Sequence, residues 1–296
     1  MKFRSYHSFL VFGLGAALAG CGGGGNSGPA AAATTPAPPS LPAPPPNIPQ
    51  DPAATGFDGS YAGFFAGVDQ AGNVVTTNAN SSALSGLFTI NLAAANSGTN
   101  GTVITSGSIA DDGTIVASGT GNTALPGTVS VTGQVQPLGT GLVFMGQVTG
   151  RNTQNSQNVA TNTFAGRIVG IQDGTDNAYV GGYTGTLSGA GGNGTLSFTV
   201  AGDGSIRGDV NSLSTLSTIF DGFSAPRVIG AITRDGIVRL TGVSGKTGTN
   251  GGAGSSLFID FQGQGDLANN QAVITGFYTA GAPEDGQTGT FVARRN

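Results

Sequence analysis

The chain has 296 residues, 54 of them glycine, a formal net charge of −4, one histidine, one cysteine and no tryptophan. A lone cysteine excludes a disulfide within the chain. Eleven lysines and arginines against fifteen acids, with no basic cluster, exclude the positive stripe that nucleic acid requires.

Residues 1–7, "MKFRSYH", carry Lys2 and Arg4 and no acid, and residues 8–19, "SFLVFGLGAALA", are uncharged and mostly apolar. A bilayer span needs about 20 apolar residues, so this shorter run reads as a secretory signal over residues 1–20. Its end, Leu18-Ala19-Gly20-Cys21, resembles the lipobox of bacterial lipoproteins. The resemblance implies cleavage between Gly20 and Cys21 and a diacylglycerol on the Cys21 thiol. That covalent lipid is the only prosthetic group expected. Two or three acyl chains hold a protein at a membrane where one does not. An Asp after the anchor would resemble the inner-membrane retention signal of enteric bacteria; Gly22 stands there instead, which points to the outer membrane. Loss of residues 1–20 also removes His7, the sole histidine. The mature chain then has no Ser-His-Asp or Cys-His arrangement and no imidazole or thiolate metal site. The expectation is a protein that is not an enzyme and holds no cofactor and no metal.

Residues 21–56 follow as a tether, with four glycines after Cys21 and ten of the fourteen prolines. Proline-rich chain is a semi-rigid spacer of about 3.1 Å per residue, long enough here to hold a domain roughly 100 Å from its lipid. Too few bulky apolar groups occur in it to build a core.

From Phe57 the pattern alternates with period two, the signature of half-buried antiparallel strands. Leu196, Phe198 and Val200 oppose Ser197 and Thr199; Leu257, Ile259 and Phe261 oppose Phe258, Asp260 and Gln262. Three Asp-Gly pairs, Asp112-Gly113, Asp203-Gly204 and Asp235-Gly236, sit between alternating segments and predict tight hairpins, with positive φ supplied by the pair. The chain echoes itself: "YAGFFAG" at 61–67 with "YVGGYTG" at 179–185, and "NTFAGRI" at 162–168 with "GTFVARR" at 289–295. These echoes divide the body into two β-rich units, 57–171 and 178–296, joined by residues 172–177. In the second, strands are predicted at 178–188, 194–201, 205–211, 227–233, 236–243, 256–264, 271–279 and 287–294. The fold class is all-β, antiparallel and hairpin-built, as one or two eight-stranded barrels, with a β-sandwich as the alternative. Long Asn-, Gly- and Thr-rich loops are expected at 68–83, 93–101, 150–161 and 244–255, and a helical turn at 215–223.

Three stretches look like chemistry. Gly189–Gly194, "GAGGNG", fits a dinucleotide fingerprint, but a strand-like "TLSFTV" follows where a helix is required. Gly245-Lys246-Thr247 lacks the glycine a phosphate loop needs, Leu240 standing in its place, and reads as a flexible loop with the only mature lysine. The acids Asp173, Asp176, Glu284 and Asp285 are too few locally for calcium and read as turn formers.

The stretch Val273–Arg295, with Gly276-Phe277-Tyr278, Ala282-Pro283-Glu284 and Gly289-Thr290-Phe291 in order, resembles the closing strands of transferrin-binding-protein-B-type barrels of bacterial surface lipoproteins. Thr279-Ala280 and Gln287-Thr288 depart from that pattern. The resemblance implies a barrel scaffold whose ligand surface lies in variable loops, and transfers no transferrin binding. Phe277 and Tyr278 are expected on opposite faces of the sheet, and Pro283 to end the strand. The expected function is a non-enzymatic surface lipoprotein, outer-membrane anchored, that binds a macromolecule through its loops. Its partners would be the membrane, through the lipid, and a protein ligand or outer-membrane receptor; nucleic acid is not among them, and composition sets no oligomeric state. A structural envelope or surface-coat lipoprotein, or one facing the periplasm, is the alternative.

Overall fold

The computed structural model describes residues 56–68, 73–92, 103–120, 128–151, 163–189, 192–212, 223–246, 255–268, 271–280 and 287–296. The first eight strands are β1 (Gly59–Val68), β2 (Val74–Leu84), β3 (Leu87–Leu92), β4 (Val103–Ile109), β5 (Thr114–Thr120), β6 (Thr128–Leu138), β7 (Gly141–Arg151) and β8 (Thr163–Gln172). They close into an antiparallel barrel when β1 pairs with β8 from Ala62↔Ile171 to Val68↔Ala165. The next eight are β9 (Gly181–Gly189), β10 (Gly192–Val200), β11 (Ser205–Ser212), β12 (Arg227–Ile232), β13 (Ile237–Lys246), β14 (Ser255–Ala268), β15 (Gln271–Ala280) and β16 (Gln287–Arg295). They close a second barrel through β16 and β9, from Gly289↔Gly189 to Arg295↔Tyr183. Closure removes the free edges that strands rich in Val and Thr would otherwise expose, and it sets the sandwich alternative aside.

Alternation decides which face goes in. Leu196, Phe198 and Val200 are buried in the second barrel with Ile259 and Phe261, while Asp260 and Gln262 are exposed. Each interior is packed with aromatic side chains. Phe88 meets Phe144 edge-on at 5.0 Å in the first barrel, and Phe261 meets Phe291 edge-on at 5.6 Å in the second. Apolar inside and polar outside is the reverse of a barrel whose outer wall faces lipid.

Several expectations are corrected. Residues 74–83 of the expected 68–83 loop belong to β2. Its inward residues are Ala79, Ser81 and Ala83, too small and polar to register as alternation against outward Asn78, Asn80 and Ser82. Residues 150–151 end β7, and residues 244–246 and 255 belong to β13 and β14, so those two loops are shorter than predicted. Lys246 is thus the last residue of a strand, its Nζ 5.5 Å from the Phe223 ring centre, rather than a loop residue. Residues 178–180 precede β9; Asn177 Oδ1 accepts the Tyr179 N–H at 2.9 Å and turns the chain there. The 215–223 helical turn lies outside the described residues except for Phe223, which has no regular structure.

The Asp-Gly turns are real, but only the glycine takes positive φ: 83° at Gly113, 83° at Gly204 and 88° at Gly236. In each, the glycine N–H donates to the carbonyl three residues back, on Ala110, Ala201 or Thr233. The glycine's own carbonyl then accepts an N–H from the next hairpin, from Val135, Ile232 or Gly265 respectively. The pair therefore builds a three-residue loop with a glycine bulge rather than the two-residue hairpin in which both residues are left-handed. The two-residue form occurs instead at Ser85-Gly86, with φ 51° and 78°.

The internal repeat also has a different register from the one the letters suggest. Tyr61 Oη donates to the Phe57 carbonyl at 2.6 Å, and Tyr183 Oη to the Tyr179 carbonyl at 2.7 Å. Gly59 and Gly181, two residues before each tyrosine, have φ 145° and 144°. Tyr61 is therefore the counterpart of Tyr183, four residues on from Tyr179. In the closing strands Gly170 faces Gly63 as Ala293 faces Gly185, so Ile168 answers Phe291 with the same offset. Letter identity misled because both stretches repeat aromatic and glycine residues at intervals of two and four.

Burial pushes the Tyr61 and Tyr183 phenols up to about 12, and raises Tyr179 and Tyr278 as well. For Tyr61 the nearby Asp58 adds to desolvation. A phenol raised in the folded state contributes stability that is complete below the unfolded value near 10 and lost as pH climbs through the folded one. The barrels are therefore expected to unfold steeply between about pH 10 and 12. Tyrosine ionisation followed by ultraviolet absorbance should coincide with loss of the β circular dichroism signal. Ionisation of all the tyrosines near pH 10 with the β signal intact contradicts this.

Candidate functional site

Gly20 and Cys21, the predicted cleavage and lipidation residues, lie outside the described residues, as do Pro283, Glu284, Asp285 and the loop 93–101. Of the dinucleotide-like "GAGGNG", Gly192 opens strand β10, paired with Gly189, so no helix follows it. Asp173 is drawn into structure: its Oδ2 accepts the Arg234 N–H at 2.5 Å and the Thr140 hydroxyl at 3.1 Å. Asp176 stands exposed nearby. Among the described residues no group of three or more His, Cys, Asp or Glu is placed to hold a metal ion.

The strand order gives each barrel two unlike ends. At one end lie the short connections 85–86, 110–113, 139–140, 201–204 and 233–236. At the other lie 93–102, 152–162 and 213–226, the longest connections within either barrel. The chain enters β1 at Gly59 on the short-turn end and leaves β16 there, where the Asn296 N–H donates to the Gly182 carbonyl at 2.9 Å. The short-turn ends of the two barrels adjoin. Asp235 Oδ1 accepts the Thr233 hydroxyl at 2.5 Å and the Thr140 N–H at 3.3 Å, so the β12–β13 turn grips the β6–β7 turn. These bonds, the Thr233 hydroxyl first, hold the Asp235 carboxyl below the ordinary carboxylate value and keep it an acceptor. Asn177 Nδ2 adds a bond to the Ile232 carbonyl at 2.8 Å, tying the connecting segment to β12.

Between the barrels runs an apolar seam. Ala66, Val68, Val143, Val169 and Ile171 of the first meet Ile229, Ala231 and Val243 of the second. Two arginines cross it in opposite senses. The Arg167 guanidinium lies 4.4 Å from the Phe258 ring centre, and that of Arg207 lies 5.7 Å from Phe64. Each contact joins a strand of one barrel to a strand of the other, adding a cation–π attraction to the buried area.

Two grooves flank the seam. One, about 720 Å³, lies where β2 faces β9–β11 and carries the Arg227–Asp209 ion pair at 2.5 Å. The other, about 540 Å³, has β6–β8 as one wall and β13–β14 as the other. Two buried polar atoms there have no hydrogen-bond partner: Arg167 Nε from the first barrel and Thr241 Oγ1 from the second. Buried polar atoms are nearly always satisfied by protein, water or ligand. These groove residues were missed in the sequence. They sit singly on strands about a hundred residues apart, and each looks like an ordinary solvated position.

No family model matches the chain, and no curated protein is similar to it.

Proposed function

We propose that the chain is a non-enzymatic lipoprotein, held at the outer membrane by a diacylglycerol on Cys21 and exposed on the cell surface. Through the long connections of its two barrels it binds a macromolecular ligand, a protein or an outer-membrane receptor. One observation carries this reading: the chain enters both closed barrels at their short-turn end, opposite the connections 93–102, 152–162 and 213–226. Attachment at that end leaves the long connections, at the opposite end, clear of the point where the chain joins the barrels. Variable connections on a closed scaffold are where recognition usually sits. The resemblance of Val273–Arg295 to transferrin-binding-protein-B-type barrels supports the same reading, since these residues make β15 and β16, the strands that complete the second barrel.

The test is direct. Native protein should yield an N-terminal peptide beginning at Cys21 with acyl chains attached, and Cys21→Ser should move it from the detergent phase to the aqueous phase. Protease added to intact cells should cleave wild type within residues 93–102, 152–162 or 213–226. Retention of the Cys21→Ser protein in the membrane, or full protection on intact cells, overturns the reading.

A further inference from the structure

The 540 Å³ groove between β6–β8 and β13–β14 has a chemistry independent of the loops and of the lipid anchor. Its lining includes Arg167 and Thr241, whose buried Nε and Oγ1 have no hydrogen-bond partner. The Arg167 guanidinium is braced across the seam, 4.4 Å from the Phe258 ring centre. An arginine fixed on an aromatic face with its Nε–H unspent is prepared for a planar, two-oxygen acceptor, which it takes through two parallel N–H bonds.

The second wall extends this site laterally. Arg239 pairs with Gln262 across β13 and β14, and Gln262 pairs with Phe277 across β14 and β15. One row below, Thr241 pairs with Asp260 and Asp260 with Thr279. All of these project outward, and Phe277 is 70% exposed. With strands about 4.8 Å apart, the distance from Arg239 to the Phe277 position is about 10 Å, the reach of two or three pyranose rings. Along it stand a guanidinium, a carboxylate, an amide, hydroxyls and one bare aromatic ring. Hydroxyl-rich rings bond to such polar groups by their edges and lay their C–H faces on an aromatic ring.

A peptide is disfavoured as the occupant. Every strand bordering the groove is hydrogen-bonded on both sides within its closed barrel, so no edge is open to an added strand. Met145 is the one partly exposed apolar side chain lining the groove itself, with Phe277 standing one strand beyond it on β15, which leaves no alternating pockets for peptide side chains. We propose that this groove binds a carboxylate-bearing oligosaccharide. Arg167 takes the carboxylate, Asp260, Gln262 and Thr241 take hydroxyls, and Phe277 carries a sugar face.

The test uses the full chain in detergent against a panel of uronate- and nonulosonate-containing oligosaccharides, their methyl esters, neutral counterparts and hexaglutamate. Saturable binding of one or more carboxylated glycans is expected, with at least about tenfold weaker binding of the matching methyl ester and of Arg167→Gln. Because Arg167 also braces the seam, Phe277→Ala supplies a second reading on an exposed residue; it should weaken binding by about three- to tenfold with an unchanged melting curve. Failure of every carboxylated glycan to bind at millimolar concentration overturns the proposal. So does equal binding of the esters, tighter binding of hexaglutamate, or indifference to both substitutions.

Discussion

A Phe261→Ala variant is expected to lose about 3–5 kcal/mol of stability, the cost of a fully buried aromatic ring removed from a packed interior. Phe261 is 1% exposed and is the meeting point of three rings, edge-on to Phe291 at 5.6 Å and tilted to Tyr278 at 6.0 Å. Its strand β14 is bonded on both sides, to β13 and β15, so the backbone cannot collapse into the space left behind. Urea unfolding checks this: the midpoint should fall while the slope is kept. Phe277→Ala, one position along from Tyr278 on β15 but 70% exposed, should stay within about 0.5 kcal/mol of wild type. Equal losses from Phe261→Ala and Phe277→Ala would mean that the second barrel is not packed as described.

This pair of predictions shows what was legible in the sequence. Where an inward residue is large and its neighbours polar, as in Leu196-Ser197-Phe198-Thr199-Val200, the strand and its buried face follow from the letters alone. Phe277 and Tyr278 were separable for the same reason. β2 was not, because its inward residues, Ala79, Ser81 and Ala83, are small, and small inward residues erase the contrast. Glycines at wall crossings act likewise. A Cβ on Gly63 would stand 1.9 Å from the Val169 carbonyl oxygen, and one on Gly276 would stand 2.0 Å from that of Gln262. Such glycines answer a requirement for close backbone approach, which no periodicity encodes, although β15, which carries Gly276, still reads as a strand at 271–279 from the residues around it.

The groove was illegible for another reason. Arg167 of the first barrel meets Thr241 and Asp260 of the second only because two barrels are laid side by side, and no local pattern announces that event. The seam itself did leave a trace. Residues 227–232, "RVIGAI", and 168–171, "IVGI", are apolar on both faces, whereas strands facing water on one side alternate. Val228 and Ile232 fill the second barrel while Ile229 and Ala231 face the first. A strand that is apolar twice over needs two partners to cover it, and in a chain of two barrels the second partner is the other barrel.

Ile229→Asp is therefore expected to open the seam without dissolving either barrel. Ile229 has no exposed surface, yet it points away from its own barrel's interior, into the cluster of Val169, Ile171 and Val243. A carboxylate there has no cation within the apolar cluster, and an uncompensated buried charge costs on the order of 3–5 kcal/mol. The contacts it opposes are a short apolar strip, two cation–π contacts and the turn bonds around Asp235, none of which closes either barrel's hydrogen-bonded ring. The charge is relieved most easily by parting the barrels, since that wets the position while leaving all sixteen strands paired. The far-ultraviolet dichroism should keep its β form, the scattering profile should broaden, and protease should cut within residues 173–180 faster than in wild type. Ile229→Val, which removes one methylene and adds no charge, should cost about 0.5–1.5 kcal/mol and leave that segment as resistant as before. If Ile229→Asp instead unfolds the second barrel outright, the seam is part of that barrel's own core; if it changes nothing, the two barrels are not held together at Ile229.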